Sequence, residues 1–118
     1  MMNYNVVGLN VELTPEIYAH VEKQIQLHVE KFLHGDTAAK LDVDLEYVQG
    51  AAGPKYQTRL TCARGKEVYR AQASGSTLHE SIDIAAGELN RELSHAKDKK
   101  MRLWRVGAGK IKNLFKGL

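Results

Sequence analysis

The chain of 118 residues has a single cysteine, Cys62, and only two prolines. One cysteine excludes an intramolecular disulfide framework and the zinc and iron–sulfur motifs that need several cysteines. No apolar run approaches the roughly 20 residues that span a bilayer, and the N-terminus lacks the basic and apolar regions of a signal peptide. We therefore expect a soluble, cytoplasmic protein that works in a reducing compartment.

The sequence is also poor in arrangements that perform catalysis or hold metals. Its five histidines never fall at the three- or four-residue helical spacing that favours chelation, and no HExxH motif is present. The run Gly107-Ala108-Gly109-Lys110 lacks the glycine spacing and the Ser or Thr of a phosphate loop. We predict that the protein is not an enzyme, with no catalytic residue, no metal site, no cofactor and no small-molecule substrate.

Positive charge is scarce in most of the chain and concentrated at its end. Residues 1–96 carry nine Lys and Arg against thirteen Asp and Glu, whereas residues 97–118 carry eight against one. This asymmetry indicates a polyanionic partner, either a nucleic acid or an anionic membrane surface, that is bound chiefly by the C-terminal segment.

The first half of the chain shows a strand, a helix and a second strand. A strand is predicted around Tyr4–Val7, ended by Gly8 and resumed in the alternating Leu9, Val11 and Leu13. Thr14-Pro15-Glu16 is a helix start, and the helix is predicted to reach about Leu33, with Gly35 as its stop. Its apolar stripe is predicted to consist of Ile17, Val21, Ile25, His28 and Phe32.

The second half shows three strands and a second helix. Period-two alternation begins at Leu41 and again at Tyr56, and the Arg64-Gly65-Lys66 turn leads to a strand that ends at Ala73. Thr77 and Glu80 form a capping box for a helix whose apolar stripe runs from Leu78 beyond Ala96. We predict an α+β fold of order β-α-β-β-β-α, with a four-stranded mixed sheet and two helices on one face.

Several polar residues have simple structural interpretations. Asp42, Asp44 and Glu46 share one strand face, which favours cross-strand pairs with Arg59 and Arg70 over a cation site. We predict that Asp44 faces Arg59, with Arg70 on the far side of Arg59. Cys62 is predicted to lie in the core, and His28 to be a partly buried, hydrogen-bonded side chain.

Arg91, His95, Lys99 and Arg102 fall at i, i+4, i+8 and i+11, which predicts a basic stripe along the second helix. Residues 101–118 form a separate basic tail after the domain of residues 1–100, and Gly107–Gly109 is predicted to be a flexible interruption before residues 110–118. In that tail Ile111, Leu114, Phe115 and Leu118 lie on one side of a basic amphipathic helix. The tail could dock on an anionic membrane or in a protein groove, which leaves a second interpretation open. The residues of that alternative site are Lys110, Ile111, Lys112, Leu114, Phe115 and Lys116.

Four segments in order resemble the ribosome hibernation-promoting factor family, also called ribosome-associated inhibitors or sigma-54 modulation proteins. They are MNYNVVGLNVELTPEIYAHVEKQI, LDVDLEYV, YRAQASGSTLHESIDIAAGELNREL and the basic continuation that follows. The Arg70-Ala71 pair, the Ser81-Ile82-Asp83 run and the Leu89–Leu93 stretch follow the order of the family pattern after the fourth strand. The resemblance covers residues 2 to about 100, and the short tail is similar to that of the short members.

The resemblance implies a fold similar to double-stranded-RNA-binding domains and a function without catalysis. Such a protein would bind 16S rRNA in the small ribosomal subunit, occupy the mRNA and tRNA channel, stop translation and preserve idle ribosomes. We expect this chain to contact rRNA through Lys23, Lys31, Arg91, His95, Lys97, Lys99, Lys100, Arg102 and Arg105.

Overall fold

Four strands form one sheet in the order β1-β2-β3-β4. The computed structural model describes residues 3–33, 39–50 and 53–117, with side chains as far as residue 98. The strands are β1 (Asn3–Leu9), β2 (Lys40–Gly50), β3 (Gly53–Arg64) and β4 (Glu67–Gly75). The helices are α1 (Pro15–His28), the single turn α2 (Glu30–Leu33) and the long α3 (Leu78–Gly117).

The sheet is mixed, as the sequence predicts. β1 pairs with β2 in parallel, and β2, β3 and β4 form an antiparallel meander. The parallel pair requires a crossover, and α1 supplies it. The predicted α+β fold, with helices on one face of a four-stranded mixed sheet, is confirmed.

The core lies between the sheet and the helices. Leu41, Val43 and Leu45 on β2 are buried, while Asp42 and Asp44 between them are exposed. Cys62 on β3 has no exposed surface, which confirms its predicted place in the core. The register also places Asp44 opposite Arg59, as predicted. Arg70 instead faces Thr61, and Gln72 is the residue opposite Arg59.

The first helix departs from the prediction at its C-terminal end. α1 ends at His28, Val29 caps it with a φ of −118°, and α2 begins at Glu30. The buried line therefore passes through Val29 and Leu33, whereas His28 and Phe32 are only partly buried. The predicted stripe was wrong there, because a regular four-residue spacing from Ile25 leads to Val29. The predicted stop at Gly35 lies outside the described residues.

The first strand is shorter than predicted. β1 ends at Leu9, and Asn10 adopts a φ of 59°, in the left-handed region. Asparagine tolerates that conformation better than most residues, and it turns the chain out of the extended geometry. The predicted resumption of the strand through Val11 and Leu13 is therefore wrong.

The last helix runs through the glycines that were predicted to interrupt it. α3 is continuous from Leu78 to Gly117, and residues 107–109 are helical. A glycine costs a helix interior about 1 kcal/mol relative to alanine, whereas extension of an existing helix needs no new nucleation. Two glycines therefore need not break a helix that tertiary packing has already started. The division into a domain of residues 1–100 and a tail of residues 101–118 stays a prediction.

Candidate nucleic-acid interface

α1 and α3 lie side by side and run in the same direction. His20 Nε2 is 2.6 Å from Asp83 Oδ1, and Asn90 Nδ2 donates to His28 Nδ1 at 3.1 Å. The later residue of α1, His28, contacts the later residue of α3, Asn90, so the two helices are parallel. The hydrogen bond to Asn90 and the partial burial of His28 confirm the structural role predicted for this histidine.

The two helix N-termini are capped by the threonines that the sequence indicates. Thr14 Oγ1 accepts from the Ile17 amide at 3.2 Å, and Thr77 Oγ1 accepts from the Glu80 amide at 3.1 Å. These bonds satisfy amides that have no partner within the helix. Because the helices are parallel, α2 and the middle of α3 meet at the end of the sheet opposite the two caps. Lys31, Arg64 and Lys97 lie at that end.

At that end three cations from three elements surround one cavity, which we call the cation pocket. Lys31 comes from α2, Arg64 from the end of β3, and Lys97 from α3. The cavity has a volume of about 260 Å³, and its other lining residues are Phe32, Tyr69, Leu93 and Ala96. This arrangement can bind an anion, because ammonium and guanidinium groups make charge-assisted hydrogen bonds to phosphate oxygens.

Buried neighbours hold two of the cations at the pocket, and a glycine turn follows the third. Leu33 is 4% exposed and anchors α2, so the adjacent Lys31 stays at the protein surface. Leu93 is also 4% exposed, and Lys97 follows it by one helical turn on the same side of α3. The turn after Arg64 depends on Gly65, whose φ is 62° and suits glycine far better than other residues.

Direct contacts bring the strand turn and the short helix together. Arg64 Nη1 donates to the backbone carbonyl oxygen of Phe32 at 3.3 Å. The Lys31 ammonium lies 5.2 Å from the centroid of the Phe32 ring, within the range of a cation–π interaction. The rim of the pocket is therefore held by contacts between α2 and β3.

Tyr69 is a polar group on the wall of the pocket. Its hydroxyl donates to the carboxylate of Glu67, two residues earlier on β4. This hydrogen bond, together with partial burial and the negative charge of Glu67, raises the pKa of Tyr69 to about 12. The phenol therefore stays neutral and keeps its proton throughout the physiological pH range.

The structure brings together only some of the rRNA-binding residues that the sequence predicts. Lys31 and Lys97 share the cation pocket, whereas Lys23, Arg91 and His95 are exposed on α1 and α3 and do not line it. The backbone of α3 continues through Lys99, Lys100, Arg102 and Arg105, whose side chains lie outside the described part. These assignments stay predictions.

Arg64 is a pocket residue that the sequence analysis did not single out. The sequence identifies Arg64-Gly65-Lys66 as a turn, but it carries no signal for the helix against which that turn packs. Lys31 and Arg64 are 33 positions apart, so only the tertiary fold brings them to one cavity.

The residues of the alternative docking site belong to the last part of α3. Positions 110–116 are helical, and the side chains of Lys110, Ile111, Lys112, Leu114, Phe115 and Lys116 lie outside the described part. No helix among the residues searched is long and apolar enough to cross a membrane.

The open face of the sheet carries the acidic residues that were considered as a cation site. Asp42 and Asp44 are exposed, and Asp42, Asp44 and Glu46 face Thr61, Arg59 and Gln57 respectively. Within the described residues, no group of three or more His, Cys, Asp or Glu side chains could hold a metal ion. The acidic face therefore offers a pairing surface for arginine and polar neighbours.

A capped, parallel helix pair on a four-stranded mixed sheet defines a small α+β domain with a basic helical extension. The chain belongs to the family described as Sigma 54 modulation protein / S30EA ribosomal protein, whose family model matches residues 4–101. This match confirms the family that the sequence segments resemble.

Individual relatives agree with the family assignment. The chain is 27% identical over 104 residues to the ribosome hibernation promotion factor of Bacillus subtilis, a match that covers 88% of this chain and 53% of the relative. The chain therefore corresponds to about half the length of that protein. The comparisons give no support to a membrane or groove adaptor.

Two solved structures share the fold. The N-terminal domain of Protein Y from Thermus thermophilus superposes with a TM-score of 0.63 at 22% identity, covering 80% of this chain and 98% of that domain. A ribosomal subunit interface protein from Coxiella burnetii gives a TM-score of 0.69 at 15% identity, covering 82% and 99%. At these identities the likeness establishes the common fold.

Proposed function

We propose that this chain is a ribosome-binding translation inhibitor that occupies the mRNA and tRNA channel of the small subunit and preserves idle ribosomes. Family membership and the hibernation factor among its relatives support a ribosomal role. The observation that carries the proposal is the continuity of α3, which joins the packed domain to the basic segment without a break.

A continuous helix favours binding to a phosphate-lined channel. Residues 97–117 carry eight cations and one acid, and a helix of that length extends about 32 Å at 1.5 Å per residue. Flexible cations lose conformational freedom when they order on RNA, whereas a preformed helix has already lost much of that freedom. The extension therefore presents its charge at low entropic cost.

The proposed mechanism is steric exclusion. Contacts to phosphates position a protein on RNA but do not read its sequence, and structured RNA is recognised largely by its shape. Lys23, Lys31, Arg91 and Lys97 on the domain and the cations of the extension would contact 16S rRNA. The folded domain would then block the path of mRNA and tRNA.

Cosedimentation with purified small ribosomal subunits across a salt series tests the proposal. The variant carries four substitutions on the extension: Lys99→Glu, Lys100→Glu, Arg102→Glu and Arg105→Glu. We expect it to lose cosedimentation at moderate salt, because each reversed charge removes one phosphate contact and adds a repulsion.

The matched control reverses four cations on the open face of the sheet, Lys40, Lys55, Arg59 and Arg70, and so changes the net charge equally. The control should cosediment like the unmodified chain. Equal losses in the two variants would show that net charge alone drives association, and an unchanged extension variant would refute the proposed interface. Leu114→Ser with Phe115→Ser should leave binding nearly unchanged, whereas an adaptor that docks through an apolar helix face would lose it.

A further inference from the structure

We propose that the cation pocket binds a single nucleotide, with its phosphate between Lys31, Arg64 and Lys97 and its ring system against Phe32. The pocket combines two features that this ligand requires, a convergence of positive charge and an aromatic wall. The proposal goes beyond the proposed function, because such a ligand could bind whether or not a ribosome is present.

The positive charge of the pocket indicates a phosphate. Three cations line it. One carboxylate lies beside it, that of Glu67, which is opposite Arg64 on β4 and accepts the hydrogen bond from the Tyr69 hydroxyl. Cations from three separate elements approach a bound group from different directions, and the guanidinium adds a planar donor geometry that matches phosphate oxygens.

The remaining wall indicates a ring attached to the phosphate. Phe32 is half-buried and lines the cavity beside Lys31, and the neutral Tyr69 hydroxyl contributes a polar group on the same wall. Nucleobases stack on aromatic side chains and on guanidinium planes, and this contact tolerates any base. Leu93 closes the inner end with an apolar surface.

The size of the pocket suits one nucleotide inside it. Its volume of about 260 Å³ lies just below the lower end, about 300 Å³, of the range typical for sites that hold drug-sized molecules. The nucleotide could come from two sources with the same chemistry, a free mononucleotide or an unpaired nucleotide of an RNA strand.

Calorimetric titration of the full chain, in the absence of ribosomes, tests the proposal. The probes are inorganic phosphate, adenosine 5′-monophosphate, adenosine, and a four-residue RNA with and without a 5′-phosphate. We expect the phosphorylated probes to bind and adenosine to bind at least tenfold more weakly. Arg64→Gln and Lys97→Gln should each weaken the phosphorylated probes by about tenfold or more, because each removes a charged hydrogen-bond partner.

Two sets of variants serve as controls. One distinguishes binding in the pocket from attraction to surface charge, and the other distinguishes the contact with the nucleobase from the contact with the phosphate. Arg70→Gln and Lys55→Gln remove cations from the open face of the sheet, and they should change affinity by less than about twofold. Phe32→Leu should weaken adenosine 5′-monophosphate severalfold and leave inorganic phosphate unchanged. Thermal melting of each variant by circular dichroism verifies that it is folded.

Three outcomes would overturn the proposal: no binding of any phosphorylated probe, equal effects of pocket and control variants, or equal affinity for adenosine and its monophosphate. Pocket-dependent binding of the mononucleotide identifies a free nucleotide as a ligand, and pocket-dependent binding of RNA alone identifies an RNA nucleotide. Since no ribosome is present, failure here leaves the cosedimentation result unaffected.

Discussion

Thr58 and Ser81 are the two fully buried polar side chains in the described core, and they bind each other. Thr58 Oγ1 lies 2.8 Å from Ser81 Oγ, and Ser81 Oγ donates to the Leu78 carbonyl oxygen at 2.9 Å. The pair joins β3 to the first turn of α3. Buried hydroxyls without partners destabilise a fold, so neither residue should tolerate loss of the other.

A double-mutant cycle on this pair measures the dependence. Ser81→Ala leaves the Thr58 hydroxyl without its partner, and we expect a loss of about 1–3 kcal/mol in the free energy of unfolding. Adding Thr58→Val removes the hydroxyl that has lost its partner and keeps the shape of the side chain. The double variant should therefore lose less free energy of unfolding than the sum of the two single losses. Urea unfolding measures all four proteins. Strict additivity would contradict the hydrogen bond.

Tyr69 should make stability depend on pH in the alkaline range. Its pKa is raised to about 12 by the hydrogen bond to Glu67, by burial and by the charge of Glu67. Because the folded pKa lies above the ordinary value of 10.0, its contribution is complete below pH 10 and is lost as pH rises towards 12. Ultraviolet titration should show one of the five tyrosines ionising late.

Two variants assign that late step. Tyr69→Phe should remove it, and Glu67→Gln should move it to lower pH because the carboxylate charge is gone. A late step that survives in Tyr69→Phe would belong to another tyrosine. Tyr4 is the alternative, since burial and then the charge of Glu22 also raise its pKa.

Among the helices and strands, two glycines differ in the space that each leaves for a side chain. Gly87 lies inside α3, and a Cβ added there would meet nothing within 4 Å. A Cβ at Gly8, near the end of β1, would lie 2.9 Å from the Val11 carbonyl oxygen and 3.0 Å from Leu13. The helix therefore has room for a side chain, whereas the strand end has none.

We expect Gly87→Ala to raise the free energy of unfolding by about 0.5–1 kcal/mol, because alanine favours the helix and restricts the unfolded chain. Gly8→Ala should lower it, because the backbone at Val11 must move. Chemical denaturation compares the two variants with the unmodified chain. Similar shifts in both variants would contradict the difference in packing between the two positions.

The elements also show which local patterns predict structure reliably. The threonine caps, the period-two strands and the stripe from Leu78 depend on neighbours within a few residues, and each was predicted correctly. The break at Val29 and the end of β1 at Asn10 were missed. Both depend on where the following segment packs, and no local spacing records that.

In the molecule as a whole, the open face of the sheet and one end of the fold carry different distributions of charge. The open sheet face mixes acids with arginines, while the cations of α2, β3 and α3 meet at one end, next to the start of the basic extension. If the chain binds ribosomes as proposed, this distribution predicts that the binding depends steeply on salt and on a limited set of cations.

Neutral substitutions measure how many phosphate contacts the extension makes. The logarithm of the binding constant falls with the logarithm of salt concentration by about 0.9 per phosphate contact on a duplex and about 0.7 on a single strand. Lys99→Gln, Lys100→Gln and Arg102→Gln together should therefore make the slope shallower by about two to three units. The same change at Lys40, Lys55 and Arg70 should leave the slope unaltered, and an equal change there would indicate nonspecific attraction.

The order of strands and main helices, the mixed sheet, the family and the concentration of positive charge after residue 96 could all be predicted before the fold was known. The family follows from the resemblance of whole segments, and the other features follow from local periodicity, capping chemistry and composition, all of which a chain carries without folding. Two features became visible only in the folded protein: Arg64 joins Lys31 and Lys97 around one cavity, and the two helices run parallel. Contacts between distant residues arise when apolar faces are buried together, and burial selects one packing that no single segment encodes.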